Sequence, residues 1–302
     1  MSAILDIIAP VFALILIGYG VARTPVWTPG STGAFNKFVF YVALPTLLFG
    51  KLASGRAFDG VDPLIAAAYF GSCLISMTLA MLFTRAVFRI PGEEHALIGM
   101  AAGFSNTVLL GLPLIVLTFG DAAVGPLTAI IAFNALLLLP LTTLLIEISR
   151  GKATNRKLGQ ILFAPIPPML RNPILIGIVL GGAWSSTDLG IAGPVERLIG
   201  LLSGAAGPCA LFALGASLAD YKIAGRLPET GTIIGFKLVV HPIVVWLLCT
   251  QVFGLDTLTT SVATMMAAAP VGATCFVLAH QYNVFVGPVS SSILISTGIS
   301  AG

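Results

Sequence analysis

Charged side chains are scarce in this chain. Of its 302 residues, 9% are Asp, Glu, Lys or Arg and 57% are hydrophobic, whereas an ordinary soluble domain is about 25% charged. This composition excludes a soluble enzyme. The formal net charge of +3, with Lys and Arg spread over the connecting segments, also excludes a nucleic-acid partner, which needs clustered basic residues on one folded face. The chain is therefore predicted to be a polytopic membrane protein whose main partner is the lipid bilayer.

Sequence motifs for catalysis and for metal or cofactor binding are also missing. The four cysteines lie in apolar runs without CxxC or metal-type spacing and are interpreted as small buried hydrophobic residues. There is no Walker, Rossmann, His-Glu or Gly-x-Ser-x-Gly arrangement. No carboxylate lies in the middle of an apolar run, so an Asp-based ion relay has no obvious residue. We therefore expect no catalytic residue, no bound metal and no cofactor. The protein is not expected to be an enzyme.

Long apolar runs are what the chain has in abundance. A membrane-spanning helix needs about 20 apolar residues, and the sequence predicts ten such helices. They cover residues 3–22, 35–53, 64–88, 96–119, 124–148, 169–186, 196–219, 231–253, 258–281 and 285–301. The first run carries Asp6 and no basic segment before it, so we interpret it as a retained span rather than a cleaved signal. The predicted fold class is an all-α polytopic membrane protein.

The two halves of the chain repeat each other. Pro45-x-x-Leu48-Phe49-x-x-x-Ala53-Ser54 recurs as Pro208-x-x-Leu211-Phe212-x-x-x-Ala216-Ser217, an offset of 163 residues. The same offset relates Pro10 to Pro173 and Gly18 to Gly181, and Val124-Gly125-Pro126 recurs at 162 as Val286-Gly287-Pro288. We predict a first repeat at 1–148, a cytoplasmic linker at 149–168 and a second repeat at 169–302. Five spans are an odd number, so the second repeat is predicted to be inverted in the membrane.

The distribution of Lys and Arg predicts the orientation. If the N-terminus is outside, twelve of these residues are cytoplasmic: Arg23, Lys37, Arg85, Arg89, Arg150, Lys152, Arg156, Lys157, Arg171, Lys222, Arg226 and Lys237. Only Lys51, Arg56 and Arg197 are then outside. Because cytoplasmic loops carry the excess of positive charge, we expect the N-terminus outside.

Two apolar runs are interrupted by polar residues and helix breakers. The first interruption, at 103–114, contains Ser105, Asn106 and Thr107 between glycines and a proline, and the second, at 269–275, contains Pro270, Gly272, Thr274 and Cys275. Unsatisfied backbone groups are costly in a bilayer, so such segments are tolerated where they line a cavity. A matching pair of interrupted runs in two halves indicates a transporter binding site.

Asn106 is the leading candidate for substrate binding. Its amide can donate two hydrogen bonds to a carboxylate without burying an opposite charge. Ser105 and Thr107 add hydroxyls, and free N–H groups at a broken helix favour an anion. The alternative is that Asn106 only bridges neighbouring helices.

The remaining candidates each have a structural alternative. Two interpretations apply to Thr274 and to the backbone near Pro270 and Gly272. These groups either complete a site where the two interrupted segments cross, or they only permit close packing of helices. Asn134 and Ser296, related by an offset of 162, either face the same cavity or join helices through hydrogen bonds.

Two ionisable residues, Lys237 and His241, lie four apart on one helix face and are candidates for coupling. Lys237 can instead extend to the cytoplasmic surface. His241 is either a proton-linked switch or a packing residue.

These motifs resemble the auxin efflux carrier family of the bile/arsenite/riboflavin transporter superfamily. Its fourth helix carries an Asn-Thr pair followed by Gly-x-Pro, similar to Phe104-Ser105-Asn106-Thr107-Val108-Leu109-Leu110-Gly111-Leu112-Pro113-Leu114. Its ninth helix is similar to the run from Ala269 to Asn283, which ends in Tyr282-Asn283. The resemblance covers essentially the whole chain and indicates a bacterial member.

The resemblance implies a ten-helix fold of two inverted repeats. Spans 1, 2, 6 and 7 would form a scaffold, and spans 3–5 and 8–10 a mobile transport domain in which broken helices 4 and 9 cross at the substrate. It also implies a homodimer in the bacterial inner membrane and a substrate-contacting amide at Asn106. Plant members have prolines where this chain has Ser105 and Cys275, and an acid–lysine pair near helix 3, whereas the run Leu64 to Phe83 has no charge. The last span ends at Gly302 and is shorter than expected.

The predicted function is secondary transport, with efflux implied by the resemblance, of a small organic anion such as a mono- or dicarboxylate or an auxin-like acid. The predicted mechanism is an elevator-like movement. Two alternatives stay open: a sodium-coupled symporter of the bile-acid type, and a membrane receptor that binds the ligand without moving it.

Overall fold

The computed structural model describes residues 2–53, 63–88, 90, 92–154, 167, 170–187, 189–221 and 226–300. In these ranges the regular secondary structure is helical, apart from an isolated antiparallel β-bridge between Ser105 and Val271, and the helices are joined by turns and irregular segments. The predicted all-α class is therefore confirmed. Most of the predicted linker at 149–168 lies outside the described residues, as do Arg56, Arg89 and Lys222.

The helices are numbered here in chain order. The first eight are α1 Ser2–Ala22, α2 Ser31–Phe38, α3 Leu44–Ala53, α4 Leu64–Val87, α5 Gly92–Gly103, α6 Leu112–Phe119, α7 Val124–Phe133 and α8 Leu139–Thr154. The others described are α9 Pro173–Ser185, α10 Gly193–Asp220, α11 Leu227–Gly235, α12 His241–Leu247, α13 Thr257–Ala268, α14 Thr274–Tyr282 and α15 Val286–Ser300.

These helices belong to two compact units. Unit 1 comprises Met1–Val61, Val108–Ala132 and Arg171–Asp220. Unit 2 comprises Asp62–Thr107, Phe133–Leu170 and Tyr221–Gly302. Each unit combines segments from both halves of the sequence.

Five of the described helical stretches are long and apolar enough to cross a bilayer. They are Ser31–Ala53, Leu64–Val87, Thr107–Phe133, Gly193–Asp220 and Leu227–Val252, and shorter apolar helices cover Ala9–Ala22, Pro173–Ser185 and Val286–Ser300. The stretch Thr107–Phe133 joins parts of the predicted fourth and fifth spans through a 3₁₀ turn at Gly120–Ala123. At this turn Gly120 has a φ of 65°, which glycine adopts readily. The ten-span count remains a prediction.

Prolines explain most of the irregular turns inside the long helices. Four π-helical segments each end two residues before a proline: Val39–Ala43 before Pro45, Thr107–Gly111 before Pro113, Asn134–Leu138 before Pro140, and Phe236–Val240 before Pro242. A proline inside a helix removes one hydrogen bond, and its ring clashes with the carbonyl four residues earlier. A widened π turn makes room for the ring without ending the helix.

Glycines bring pairs of helices in unit 1 into backbone contact. A Cβ atom added to Gly18 of α1 would lie 2.2 Å from the carbonyl oxygen of Phe212 in α10, and one added to Gly181 of α9 would lie 2.9 Å from that of Phe49 in α3. The two contacts correspond to each other, because 181 − 18 and 212 − 49 both give the offset of 163 seen in the sequence. Glycine is needed wherever helix backbones approach this closely.

Gly215→Ala should destabilise the protein. A Cβ atom at Gly215 would lie 1.9 Å from the carbonyl oxygen of Ile15, and backbone atoms in a packed pair of helices cannot easily move away. The expected loss is about 1–3 kcal/mol, measured as a lower midpoint of thermal unfolding in detergent. Gly20→Ala in α1 is the control, because nothing lies within 4 Å of its added Cβ. Equal midpoints for the two variants would contradict the close contact.

Candidate functional site

The first interrupted run is broken at the predicted position. Helix α5 ends at Gly103, residues 104–106 are not helical, and helical structure resumes at Thr107. Gly103 packs tightly on α4, because a Cβ added there would lie 2.9 Å from the carbonyl oxygen of Cys73. The break therefore follows a glycine held against a neighbouring helix.

The second interrupted run is broken in the same way. Helix α13 ends at Ala268, and α14 begins at Thr274. Ala269 has φ −58° and ψ 150°, the extended conformation preferred by a residue that precedes a proline. Pro270 also has no backbone N–H to donate to the helix.

The two non-helical segments pair with each other inside unit 2. The backbone N–H of Asn106 donates to the carbonyl of Pro270 at 2.8 Å, and that of Gly272 donates to the carbonyl of Phe104 at 2.9 Å. These bonds satisfy backbone groups that would otherwise be unpaired in an apolar environment. Gly272 is required for the approach, because an added Cβ would lie 2.4 Å from the Phe104 ring.

The polar residues predicted in the first segment are buried beside this pairing. Ser105, Asn106 and Thr107 are 0%, 4% and 1% exposed. The Asn134 amide, also buried, donates to the Thr107 hydroxyl at 3.4 Å, while its own carbonyl oxygen has no hydrogen-bond partner among the described residues. Asn134 thus contacts the first segment through a hydrogen bond, which fits either of the two alternatives given for it.

Residues of the second segment have different environments. The backbone N–H of Val271 donates to the Ser296 hydroxyl of α15 at 3.1 Å, so Ser296 contacts the second segment as Asn134 contacts the first. Cys275 is buried and Thr274 is half-buried at the start of α14. Pro270 and Gly272 contribute through their backbones.

Two residues of α4 that the sequence analysis did not single out also belong to the site. Tyr69 is fully buried, and its hydroxyl donates to the Ser105 hydroxyl at 3.2 Å. The Cys73 thiol donates to the carbonyl of Gly103 at 3.3 Å. A tyrosine amid small and apolar residues, where its hydroxyl needs a partner, was the available signal.

Lys237 does not extend to the membrane surface. Its side chain is fully buried, and its ammonium donates to the carbonyl of Ala267 near the end of α13. The surface-reaching alternative is therefore wrong. A lysine in the middle of the stretch Leu227–Val252 is too far from either end, and a carbonyl close to the helix terminus provides a partially negative acceptor.

His241 is fully buried and has several partners. Its Nδ1 lies 3.5 Å from the Lys237 ammonium, and its Nε2 lies 3.4 Å from the Cys73 sulfur. The Tyr69 ring packs edge-on against the imidazole, with centroids 5.6 Å apart. A polar chain thus runs from Lys237 through His241 and Cys73 to the carbonyl of Gly103, beside Tyr69 and Ser105.

Gly272→Ala should disrupt the paired segments. The new methyl group would meet both the Phe104 ring and the carbonyl oxygen of Ser105, at 2.9 Å, and the expected loss of stability is about 1–3 kcal/mol. The measurements are the unfolding midpoint and the hydrogen exchange of the Asn106 backbone N–H. Exchange at this N–H should become faster. Gly298→Ala in α15, where nothing lies within 4 Å of the added Cβ, is the matched control. Unchanged exchange at Asn106 would show that the pairing tolerates a side chain.

Comparison with known proteins places the whole chain in one group. The model of the family described as membrane transport protein matches residues 3–301. The chain is 29% identical over 304 residues to a Rhizobium meliloti (strain 1021) protein named "Putative malonate transporter", covering 99% of this chain and 93% of the relative. It is 23% identical over 335 residues to auxin efflux carrier component 8 of Arabidopsis thaliana, covering 94% of this chain and 91% of that relative. An uncharacterized transporter of Escherichia coli (strain K12), YfdV, is 23% identical over 299 residues, covering 95% of this chain and 91% of that relative.

Proposed function

Because this chain belongs to the auxin efflux carrier family of membrane transport proteins, we propose that it is a secondary transporter of a small organic anion. The family assigns the chain to integral membrane transporters and not to enzymes. The substrate, the site and the mechanism are the proposed parts.

The observation that carries the proposal is the pair of broken helices in unit 2. Their non-helical segments are joined by two backbone hydrogen bonds and are lined by the buried, uncharged polar groups of Ser105, Asn106 and Thr107. Such groups at a helix break suit the carboxylate of a substrate, with Asn106 as the main donor.

The substrate class is a small carboxylate. One relative carries malonate in its name and another carries auxin, and both names refer to organic acids. We propose that the anion contacts Asn106, Ser105 and Thr107, that Asn134 and the backbone at Pro270 and Gly272 hold these groups in place, and that Thr274 and Cys275 border the site at the start of α14. Export is the proposed direction.

The proposed mechanism is alternating access by an elevator-like movement of the substrate-bearing helices. The paired segments, Asn134 and Ser296 all belong to unit 2, which favours movement of the site as one body. Unit 2 holds most of the proposed transport spans, although residues 108–132 cluster with unit 1.

Internal repetition supports two related states. The contact of Gly18 with Phe212 corresponds to the contact of Gly181 with Phe49 when positions are shifted by 163 residues. Asn134 and Ser296 are 162 residues apart, and each forms a hydrogen bond with the broken segment of its own half. We therefore propose two inverted five-span repeats, at 1–148 and 169–302, in which broken helices 4 and 9 cross. Inverted repeats allow inward-facing and outward-facing states to be similar in energy.

The proposed setting is the bacterial inner membrane, with the N-terminus outside and the protein a homodimer. The excess of Lys and Arg on one side supports the orientation, and it remains eleven against three when the buried Lys237 is left out of the twelve. The family membership motivates the dimer.

Asn106→Ala should weaken binding of the substrate anion. A hydrogen bond to a charged group contributes about 1.5–3 kcal/mol, so affinity should fall roughly 10- to 150-fold. The measurement is a thermal-shift screen of mono- and dicarboxylates, including malonate, on the purified protein, followed by titration of the best ligand. Asn36→Ala is the control, because Asn36 donates to Ser217 in unit 1 and is remote in sequence from the broken segments. Equal affinity in wild type and the Asn106 variant would refute the site.

Sodium dependence separates the proposal from a bile-acid-type symporter. If transport is not coupled to sodium, replacing sodium by choline at constant ionic strength should leave the anion affinity within about twofold, because a bound coupling ion contributes to affinity only through differential binding. The test is calorimetric titration in the two buffers. A marked loss of affinity in choline would favour the symporter. Binding without uptake into proteoliposomes would favour a receptor.

A further inference from the structure

Lys237 is a buried charge deep in a membrane-spanning stretch. It lies ten residues after Leu227, the start of the stretch Leu227–Val252, or about 15 Å along a helix axis. The hydrocarbon core is about 30 Å thick, so this ammonium is close to its middle. Intramembrane charges are expensive and mark functional sites by default.

The described groups that face Lys237 carry no full negative charge. The Ala267 carbonyl accepts its hydrogen bond, and His241 lies beside it on the same helix. The thiols of Cys73 in α4 and Cys275 in α14 are near enough to interact with it electrostatically. Tyr69 of α4 packs against the ring of His241. In the described part of the chain no carboxylate forms an ion pair with Lys237.

Among the described residues of unit 2, Glu229 is the other buried charged residue, and it is neutralised in a way that Lys237 is not. Glu229 at the start of α11 lies 3.6 Å from Arg226, which also binds Glu94 at 2.5 Å. A helix terminus supplies partial charge only, so the Ala267 carbonyl offsets part of the ammonium charge. A buried charge without a counterion is strongly unfavourable, which leaves a role for an anion from outside the chain.

The residues around Lys237 also flank both helix breaks. Ala267 lies one residue before the end of α13, and Cys275 is the second residue of α14. Cys73 bonds Gly103, the last residue of α5. An anion held at Asn106 would therefore be attracted electrostatically by this ammonium. The polar groups at Ser105, Asn106 and Thr107 add no charge of their own.

We infer that Lys237 is the counter-charge of the transported anion and selects a substrate with a single negative charge. The inference rests on the proposed function, because it concerns the anion bound at Asn106. One ammonium neutralises one carboxylate, so a monoanion crosses the bilayer as part of a neutral assembly. A dianion leaves one charge uncompensated in a medium where that is costly. Lys237 thereby sets the charge class, while the amide and hydroxyls recognise the carboxylate.

The test uses three probes of nearly equal size and different charge. Malonate is a dianion near neutral pH, malonamate is a monoanion and malonamide is neutral. Calorimetric titration of the protein should show that malonamate binds with about tenfold or more higher affinity than either of the other two probes. In Lys237→Met, the affinity for malonamate should fall about tenfold or more, while the affinity for malonamide should change little. Lys237→Arg, which keeps the charge, should retain the preference for malonamate over malonamide.

Lys37→Met is the matched control, because it removes an equal charge from an exposed position in unit 1 and should leave all three affinities unchanged. A Lys237→Met protein that binds malonamate as tightly as wild type overturns the inference. Equal losses for malonamate and malonamide indicate a structural tether to Ala267 only and also overturn it. If Lys237→Met does not fold, the wild-type charge series decides, since a preference for malonate or malonamide is incompatible with one counter-charge. Failure of wild type to bind any carboxylate refutes the proposed function instead.

Discussion

The pairing of two short extended segments in unit 2 is the interaction on which the candidate site depends. A helix that stops inside a bilayer exposes N–H and C=O groups that lipid cannot satisfy. Here the Asn106 N–H and the Phe104 carbonyl of one segment find partners in Pro270 and Gly272 of the other. Each break compensates the other, so both helices can be interrupted without leaving these backbone groups unpaired. The side chains of Ser105 and Asn106 are then held in a fixed frame.

Charge is arranged differently at the ends of the helices and in their interior. Toward the ends, acidic and basic side chains pair directly, as Lys51 does with Asp121 in unit 1 and Arg226 with Glu94 in unit 2, both at 2.5 Å. In the interior of unit 2, Lys237 meets a carbonyl, an imidazole and thiols. A permanent acidic partner there would neutralise the ammonium and leave no attraction for an anion. The uncharged neighbourhood keeps that attraction available.

The sequence predicted the features that depend on local chemistry. Glycine and proline located both helix breaks, and the repeat offset related Gly18 to Gly181 and Phe49 to Phe212. The contacts of Gly18 with Phe212 and of Gly181 with Phe49 come from the fold. Long-range packing was harder to predict. Whether Lys237 reaches water or Ala267 depends on which helix lies against it, and the spacing of residues along one helix does not contain that information. Tyr69 was missed for the same reason, since only the fold brings its hydroxyl to Ser105.

The wide turn at Phe236–Val240 has a consequence for evolution of the family. A π turn accommodates one residue more than a regular turn, and each residue rotates a helix by about 100°. Because the extra residue is absorbed inside this turn, the helix beyond it keeps the orientation that a regular helix one residue shorter would have. Deleting one residue here would therefore leave His241 facing Cys73, whereas the same deletion in a regular part of the helix would turn it away. A relative with a one-residue gap at this position can keep the same side chains in the same place.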